Sequence, residues 1–324
     1  MKTRMKKKTS VKDKVLITIF SIVIVASVVS VAAVFLLNTS FFKNKETNEN
    51  GKINENLVTP TEIKDKYVNF LVVGVDYIAG SSRGHLTDTI MVISFDIQGN
   101  NIDVLHIPRD SYIGNLTSTG KINSIYGKSE NGGINGLADT IFNTFNITID
   151  HYVTVDMTGF VSIVDKIGGV EVDVPQRIKL EGATLEPGLQ VLDGWRAQKF
   201  VRERKSYSNG DLGRIDMQKV FMKALIEKIF KMGKKEVLSL APTLVKEITT
   251  DLTLGDMLGY YNKLLDVDKT NNINFYTVPV LKGGSYRGNS VVLLDKEKTA
   301  ELLNQYFRPY TKKVSAEELG IQTL

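Results

Sequence analysis

Several charged residues stand where apolar runs end, and their types suit phosphate chemistry. Asp76 closes the run 70–75, Asp88 opens the next after a glycine-containing loop, and Arg109-Asp110 follows Ile107-Pro108 at the end of a third. Strand ends are where an α/β sheet presents its ligand crevice. Two carboxylates brought together there repel unless a hard cation lies between them. An oxygen donor set with room for water and phosphate suits Mg2+, with Mn2+ the near substitute. With no cysteine and only His85, His106 and His151 to offer nitrogen, zinc is poorly served. Position alone leaves a second reading open, in which these residues are strand caps or salt-bridge partners.

A second group lies far along the chain: Arg202, Arg204 and Arg214, with Gln218 one helical turn after Arg214. Arginine presents a rigid planar fork to phosphate oxygens and keeps its charge at any physiological pH. Arg202 and Arg204 alternate, so an extended segment puts them on one face, while Arg214 and Gln218 share a helix face. Each arginine alone would serve as a surface ion pair. With the two carboxylates they describe a site for a polyanion carrying a divalent metal. No serine elbow, Walker loop or His-Glu-x-x-His competes. Gly168-Gly169, between a helical pattern and Val170, reads as a helix C-cap and turn, not as a phosphate loop.

The elements that must position these residues follow from periodicity. Short apolar runs bounded by turn residues predict strands buried on both faces at 69–75, 89–95 and 102–107, with further strands at 152–155, 171–174 and 274–278. Helical spacing appears at 136–145, 160–167, 194–201 and 216–230. Strands and helices intermingle, which predicts one α/β domain over 67–324, a central mixed sheet flanked by helices.

Ahead of it, residues 15–37 are 23 uncharged residues. At ~1.5 Å each they make a rod of about 34 Å, enough for a hydrocarbon core of ~30 Å. Lys2, Arg4, Lys6, Lys7, Lys8, Lys12 and Lys14 precede it against Asp13 alone, so the tail 1–14 is expected on the cytoplasmic side. Phe35, Leu36 and Leu37 stand where a cleavage site would need small residues, which favours an uncleaved signal-anchor. The polar stretch 38–66 reads as a flexible tether. The basic tail accounts for the net charge of +5, leaving the remainder near −1, so a nucleic-acid partner is not expected.

At these positions the sequence resembles the LytR-CpsA-Psr family of bacterial envelope proteins. The matching stretches are Phe70-Leu-Val-Val-Gly-Val-Asp76, Thr87-Asp-Thr-Ile-Met-Val-Ile-Ser94, Ile107-Pro-Arg-Asp-Ser111 and Lys121-Ile-Asn123. Downstream come Tyr152-Val-Thr-Val-Asp156, Val164-Asp-Lys-Ile-Gly-Gly-Val-Glu-Val-Asp-Val-Pro175, Leu192-Asp-Gly194, Val201-Arg-Glu-Arg204 and Asp211-Leu-Gly-Arg-Ile215, then Gln218. Their order matches as well as their composition. The resemblance implies a membrane-anchored phosphotransferase, facing outward from a Gram-positive-type cell membrane. It would move a glycopolymer such as wall teichoic acid or capsule from a polyprenyl pyrophosphate carrier onto peptidoglycan.

Carried over by position, Asp76 and Asp88 would sit at the magnesium and pyrophosphate, Arg109, Arg202, Arg204 and Arg214 would hold phosphate oxygens, and Gln218 falls on a site position. The bilayer, the lipid-linked polymer and peptidoglycan are the implied partners. Two departures stand out. Where the family usually has arginine two residues before the second aspartate this chain has Leu86, and Arg83 is the candidate to replace it; Met217 stands where an arginine often precedes the glutamine. Asp88 and Asp110 are candidate bases, and Phe142, Phe145, Phe160 and Ile163 are either core or the wall of a pocket for the carrier's first isoprene units. A lipid pyrophosphatase and a non-catalytic envelope regulator are the rival expectations.

Overall fold

The β-rich apolar runs pair into one six-stranded mixed sheet. The structure is a computed structural model that describes residues 52–76, 85–203, 206–207, 211–253, 256, 259–260, 263, 272–309 and 311–324. Its strands are β1 (Tyr67–Asp76), β2 (Leu86–Asp96), β3 (Asn101–His106), β4 (His151–Asp156), β9 (Thr249–Thr250) and β10 (Ile273–Thr277), in the spatial order β10-β3-β2-β1-β4-β9. β1 runs antiparallel to β2 and parallel to β4; β3 runs antiparallel to β2 and parallel to β10. Between β4 and β9 lie two small ribbons, β5 (Val170–Val174) with β8 (Gly188–Leu192), and β6 (Ile178–Leu180) with β7 (Ala183–Leu185). A hairpin of β11 (Val280–Tyr286) and β12 (Asn289–Leu294) follows β10.

Because side chains alternate along a strand, the sheet divides the apolar residues into two cores. Leu71, Val73 and Val75 face one side, with Ile141 and Phe145 of α1 (Gly133–Phe145) and with Leu303 and Phe307 near the C-terminus. Val68, Phe70 and Val72 face the other, under α2 (Met157–Lys166), α3 (Gly194–Arg202) and α4 (Asp211–Leu244). The helices begin where capping chemistry directs. Asp156 and Asp193 each accept a hydrogen bond from the backbone N–H three residues on, at 2.7 and 2.8 Å, opening α2 and α3. Gly168 and Gly169 both have positive φ and return hydrogen bonds to the last turn of α2, so the pair is a helix terminus. A Cβ at Gly169 would come within 3.0 Å of the Leu192 carbonyl, so β8 could not lie so close to any other residue.

The first part of the stretch 38–66, and the apolar run 15–37, lie outside the described residues. The last part of 38–66 is not a tether. Ile53 and Leu57 are buried in the α1-side core. Thr59 is held by Asp150, which accepts from its backbone N–H at 2.9 Å and its hydroxyl at 2.8 Å. The folded unit therefore begins well before Tyr67; two isolated apolar residues in a polar run carry no periodicity to announce it. Among the described residues no helix is long and apolar enough to cross a membrane.

Candidate active site

The three strand ends converge because β1, β2 and β3 are adjacent in the sheet. Their pairing is regular except at one point: Gly74 faces Thr89, but Val75 faces Thr87, so Asp88 is an extra residue in β2. Strict alternation would send Asp88 to the face opposite Thr89 and Met91. The bulge re-aims it, and Asp88, Thr89 and Met91 all line the same cavity. Gly74 permits the close approach, since a Cβ there would stand 3.2 Å from the Thr89 Cβ.

Arg109 follows β3 on a turn in which Ser111 N–H and Oγ both donate to the Pro108 carbonyl, at 2.9 and 2.6 Å. The Asn123 N–H donates to the Arg109 carbonyl at 3.1 Å, and Lys121 Nζ lies 3.0 Å from Asp110 Oδ1. The Lys121-Ile-Asn123 stretch thus braces this turn. Asp110 faces Lys121 and stands outside the cavity lining.

The cavity occupies about 1070 Å³ between the sheet and helices α2 and α4. Asp76, Asp88, Arg109, Arg202, Arg214 and Gln218 all line it. Arg202, in the last turn of α3, reaches Asp76 with Nη2 3.3 Å from Oδ2. Arg109 pairs through Nη1 with Asp88 Oδ1. Arg214 is buried near the start of α4. One turn on, Gln218 Nε2 donates to the Val201 carbonyl at 3.1 Å, tying α4 to the end of α3. Arg83 and Arg204 lie outside the described residues. Leu86 is paired with Asp76 across β1 and β2, and Met217 packs against the apolar core on this side of the sheet.

Away from the charged end the lining is apolar, with Val104, Val153, Phe160, Ile163, Leu225 and Phe275 among its residues. Phe160 and Ile163 therefore do face a pocket. Phe142 and Phe145 do not: they belong to the core on the opposite face of the sheet. Periodicity on α1 and α2 could not show which face of the sheet each helix covers. Lys219 and His106 also line the cavity, and neither was expected there from the sequence. Burial, then the positive charges of Lys219 and Arg214, push the His106 imidazole down to about 3, so it is neutral.

Asp76 and Asp88 fit a hard cation by donor type, since Mg2+ characteristically takes one or two carboxylates and completes its shell with phosphate and water. No group of three or more Asp, Glu, His or Cys side chains suited to a metal occurs among the described residues. Each of the two carboxylates meets an arginine that a phosphate could draw away.

The LytR_cpsA_psr family model matches residues 31–308. The chain belongs to the LytR_cpsA_psr family. It is 30% identical over 252 residues to the cell wall biosynthesis protein LcpA of Corynebacterium glutamicum, covering 67% of this chain and 48% of that protein. To the polyisoprenyl-teichoic acid–peptidoglycan teichoic acid transferase TagV of Bacillus subtilis it is 28% identical over 237 residues, 67% of this chain and 60% of that one. These matches thus span only about half to three-fifths of the relatives' length. The crystal structure of B. subtilis TagV superposes with a TM-score of 0.62 at 26% identity, covering 77% of this chain and all of that one. A structure of TagT bound to LI-WTA shares the fold, with a TM-score of 0.60 at 20% identity over 84% of this chain and 98% of that one. The mixed sheet with its flanking helices is the fold that this chain shares with those solved structures.

Proposed function

We propose that this protein transfers a glycopolymer, of the teichoic acid or capsule kind, from a polyprenyl pyrophosphate carrier to peptidoglycan. One observation carries the reading: a single cavity joins a charged end, where Asp76, Asp88, Arg109, Arg202 and Arg214 meet, to an apolar interior. An anionic head on a hydrocarbon tail is the ligand class that needs both halves. The names of the relatives LcpA and TagV point the same way.

In this reading a sugar hydroxyl of peptidoglycan attacks the phosphorus that bears the glycopolymer. The new P–O bond forms as the bond to the bridging oxygen breaks, and polyprenyl phosphate leaves. Such a step needs positioning and charge neutralisation more than covalent help. Arg109, Arg202 and Arg214 meet phosphate oxygens, and Gln218 fixes α4 against the end of α3. Once a phosphate engages Arg109, Asp88 is released from its ion pair and takes the hydroxyl proton. Mg2+ or Mn2+, held by Asp76 and Asp88, would neutralise charge on the pyrophosphate. Residues 15–37 anchor the chain in the bilayer with the domain outside, where donor lipid and wall meet.

The test is full-length protein in detergent with lipid-linked polymer and peptidoglycan fragments. A phosphodiester adduct is the expected product. Polyprenyl phosphate and free glycopolymer phosphate without adduct would make the protein a lipid pyrophosphatase. Asp88→Ala and Arg109→Ala cells with normal polymer attachment would leave a binding protein.

A further inference from the structure

His106 is a polar side chain in an otherwise oily wall. It ends β3, and the sheet register sets Met91 of β2 on one side of it and Thr277 of β10 on the other. Val104 and Phe275, each two residues earlier on its strand, share that face and line the cavity. Both imidazole nitrogens of His106 are sealed from solvent and without a hydrogen-bond partner, and so is the Thr277 hydroxyl. Gln218 Oε1, on the helix that roofs the cavity, is in the same state. Buried polar atoms in folded proteins are nearly always satisfied, and a leucine or valine here would cost less than an unmatched imidazole. His106 and Gln218 line the cavity with Thr277 beside His106 in the sheet, and unmatched polar atoms in a cavity wall mark where a ligand's polar atoms belong.

The charges around this cluster define that ligand. Lys219 and Arg214 of α4 are close enough to act on the imidazole, which stays neutral and keeps one N–H to donate. Arg109 and its partner Asp88 lie beyond it at the strand end. The whole lining carries six lysines and arginines against five carboxylates, but the charges that act on His106 are Lys219 and Arg214, so an anionic oxygen is the favoured occupant there. His106 is the last residue of β3, and Arg109 stands on the turn that follows it. Arg109 and His106 therefore address different parts of one extended head group.

Building on the proposed function, we propose that His106 and Thr277 form an inner subsite that receives the lipid-proximal phosphate of the polyprenyl pyrophosphate. The outer phosphate, which carries the glycopolymer, is left to Arg109 and Asp88. The imidazole N–H donates to an oxygen of the departing polyprenyl phosphate, and no proton need change hands. His106 is on this view a residue that touches the leaving group and sets the depth to which the lipid enters.

Three probes on the full-length protein in detergent test this: geranylgeranyl diphosphate, geranylgeranyl monophosphate and geranylgeraniol. His106→Ala weakens both phosphates by about 10- to 100-fold, the loss of one charge-assisted hydrogen bond, and leaves the alcohol unchanged. Because the chain has three histidines, the 15N imidazole signals of His106 are assignable by their absence in that variant. Either phosphate moves them in the wild-type protein and the alcohol does not. Equal weakening of alcohol and phosphates, or signals unmoved by diphosphate, overturns the inner subsite. Failure of the wild-type protein to prefer diphosphate over alcohol would instead sink the lipid-pyrophosphate reading on which the subsite rests.

Discussion

The Arg109–Asp88 pair makes a prediction opposite to the usual one for a site residue: replacing Asp88 by Asn tightens lipid binding when no metal is present. Both side chains are mostly shielded, at 15% and 12% exposed, so their contact is poorly screened. A hydrogen bond between charged groups contributes roughly 1.5–3 kcal/mol net, which a phosphate must displace to engage Arg109. At 1.4 kcal/mol per factor of ten, releasing Arg109 raises affinity for geranylgeranyl diphosphate by about 10- to 100-fold in EDTA. Magnesium reverses the order, because Asp88 is also the carboxylate that holds the cation. Transfer falls by at least about 100-fold whatever the binding, since the base is gone. Asp76→Asn provides the internal comparison: its partner Arg202 is 42% exposed, so the metal-free gain is small. Calorimetric titration with and without EDTA, beside a turnover assay, reads all of this. An Asp88→Asn protein that binds no tighter than wild type in EDTA refutes the idea that Asp88 holds Arg109 back.

Three further outcomes follow from the same geometry. Ile163→Lys puts a charge into the apolar part of the cavity and should abolish binding of geranylgeranyl diphosphate while sparing inorganic pyrophosphate, measured by competition. Asp150→Ala removes a buried carboxylate that accepts from the Thr59 N–H, the Thr59 hydroxyl and the Asn69 N–H. A loss of about 3 kcal/mol, or ~6–12 °C in Tm by scanning fluorimetry, is expected for a domain of this size. His106 links stability to pH. Its imidazole sits near 6.5 when unfolded and is pushed down to about 3 when folded, so below 6.5 the unfolded chain takes up the proton first. Stability from this group is complete above that value and is lost as pH falls toward about 3, reaching a deficit of up to ~2 kcal/mol at pH 5. Urea melts at pH 7 and 5 should show that deficit in wild type and not in His106→Gln.

Much of the sheet was legible because buried strands announce themselves. The expected strands 69–75, 89–95 and 102–107 fall within β1, within β2 and across β3, and the expected helix 194–201 lies within α3. The gathering of Asp76, Asp88 and Arg109 was legible too, since adjacent strand ends must converge. The bulge was not: one extra residue in a β-branched run leaves no trace in composition, yet it decides which face Asp88 serves. The expected strand 171–174 falls within β5, but its partner β8 and the ribbon β6–β7 show no period that marks them in the sequence. Arg177, Lys179 and Glu181 in and beside β6 join the cavity lining only because that ribbon folds back over it. His106 was noticed only as a poor zinc ligand, because its meaning lies in what surrounds it. The segment from Lys52 to Lys66 was read as linker because its attachment is made by Asp150, far along the chain.

The two faces of the sheet are built to different standards, and that has a thermodynamic corollary. One face is filled by the protein's own phenylalanines and leucines. The other keeps about 1070 Å³ open beneath α2 and α4. On the proposed reading a donor lipid entering there supplies hydrocarbon where the polypeptide stops short, so for the length of a catalytic cycle the substrate is also a building material. Stabilisation then grows as RT ln(1 + [L]/Kd) with lipid supply. The protein's own resistance to heat becomes a gauge of how much donor its membrane holds.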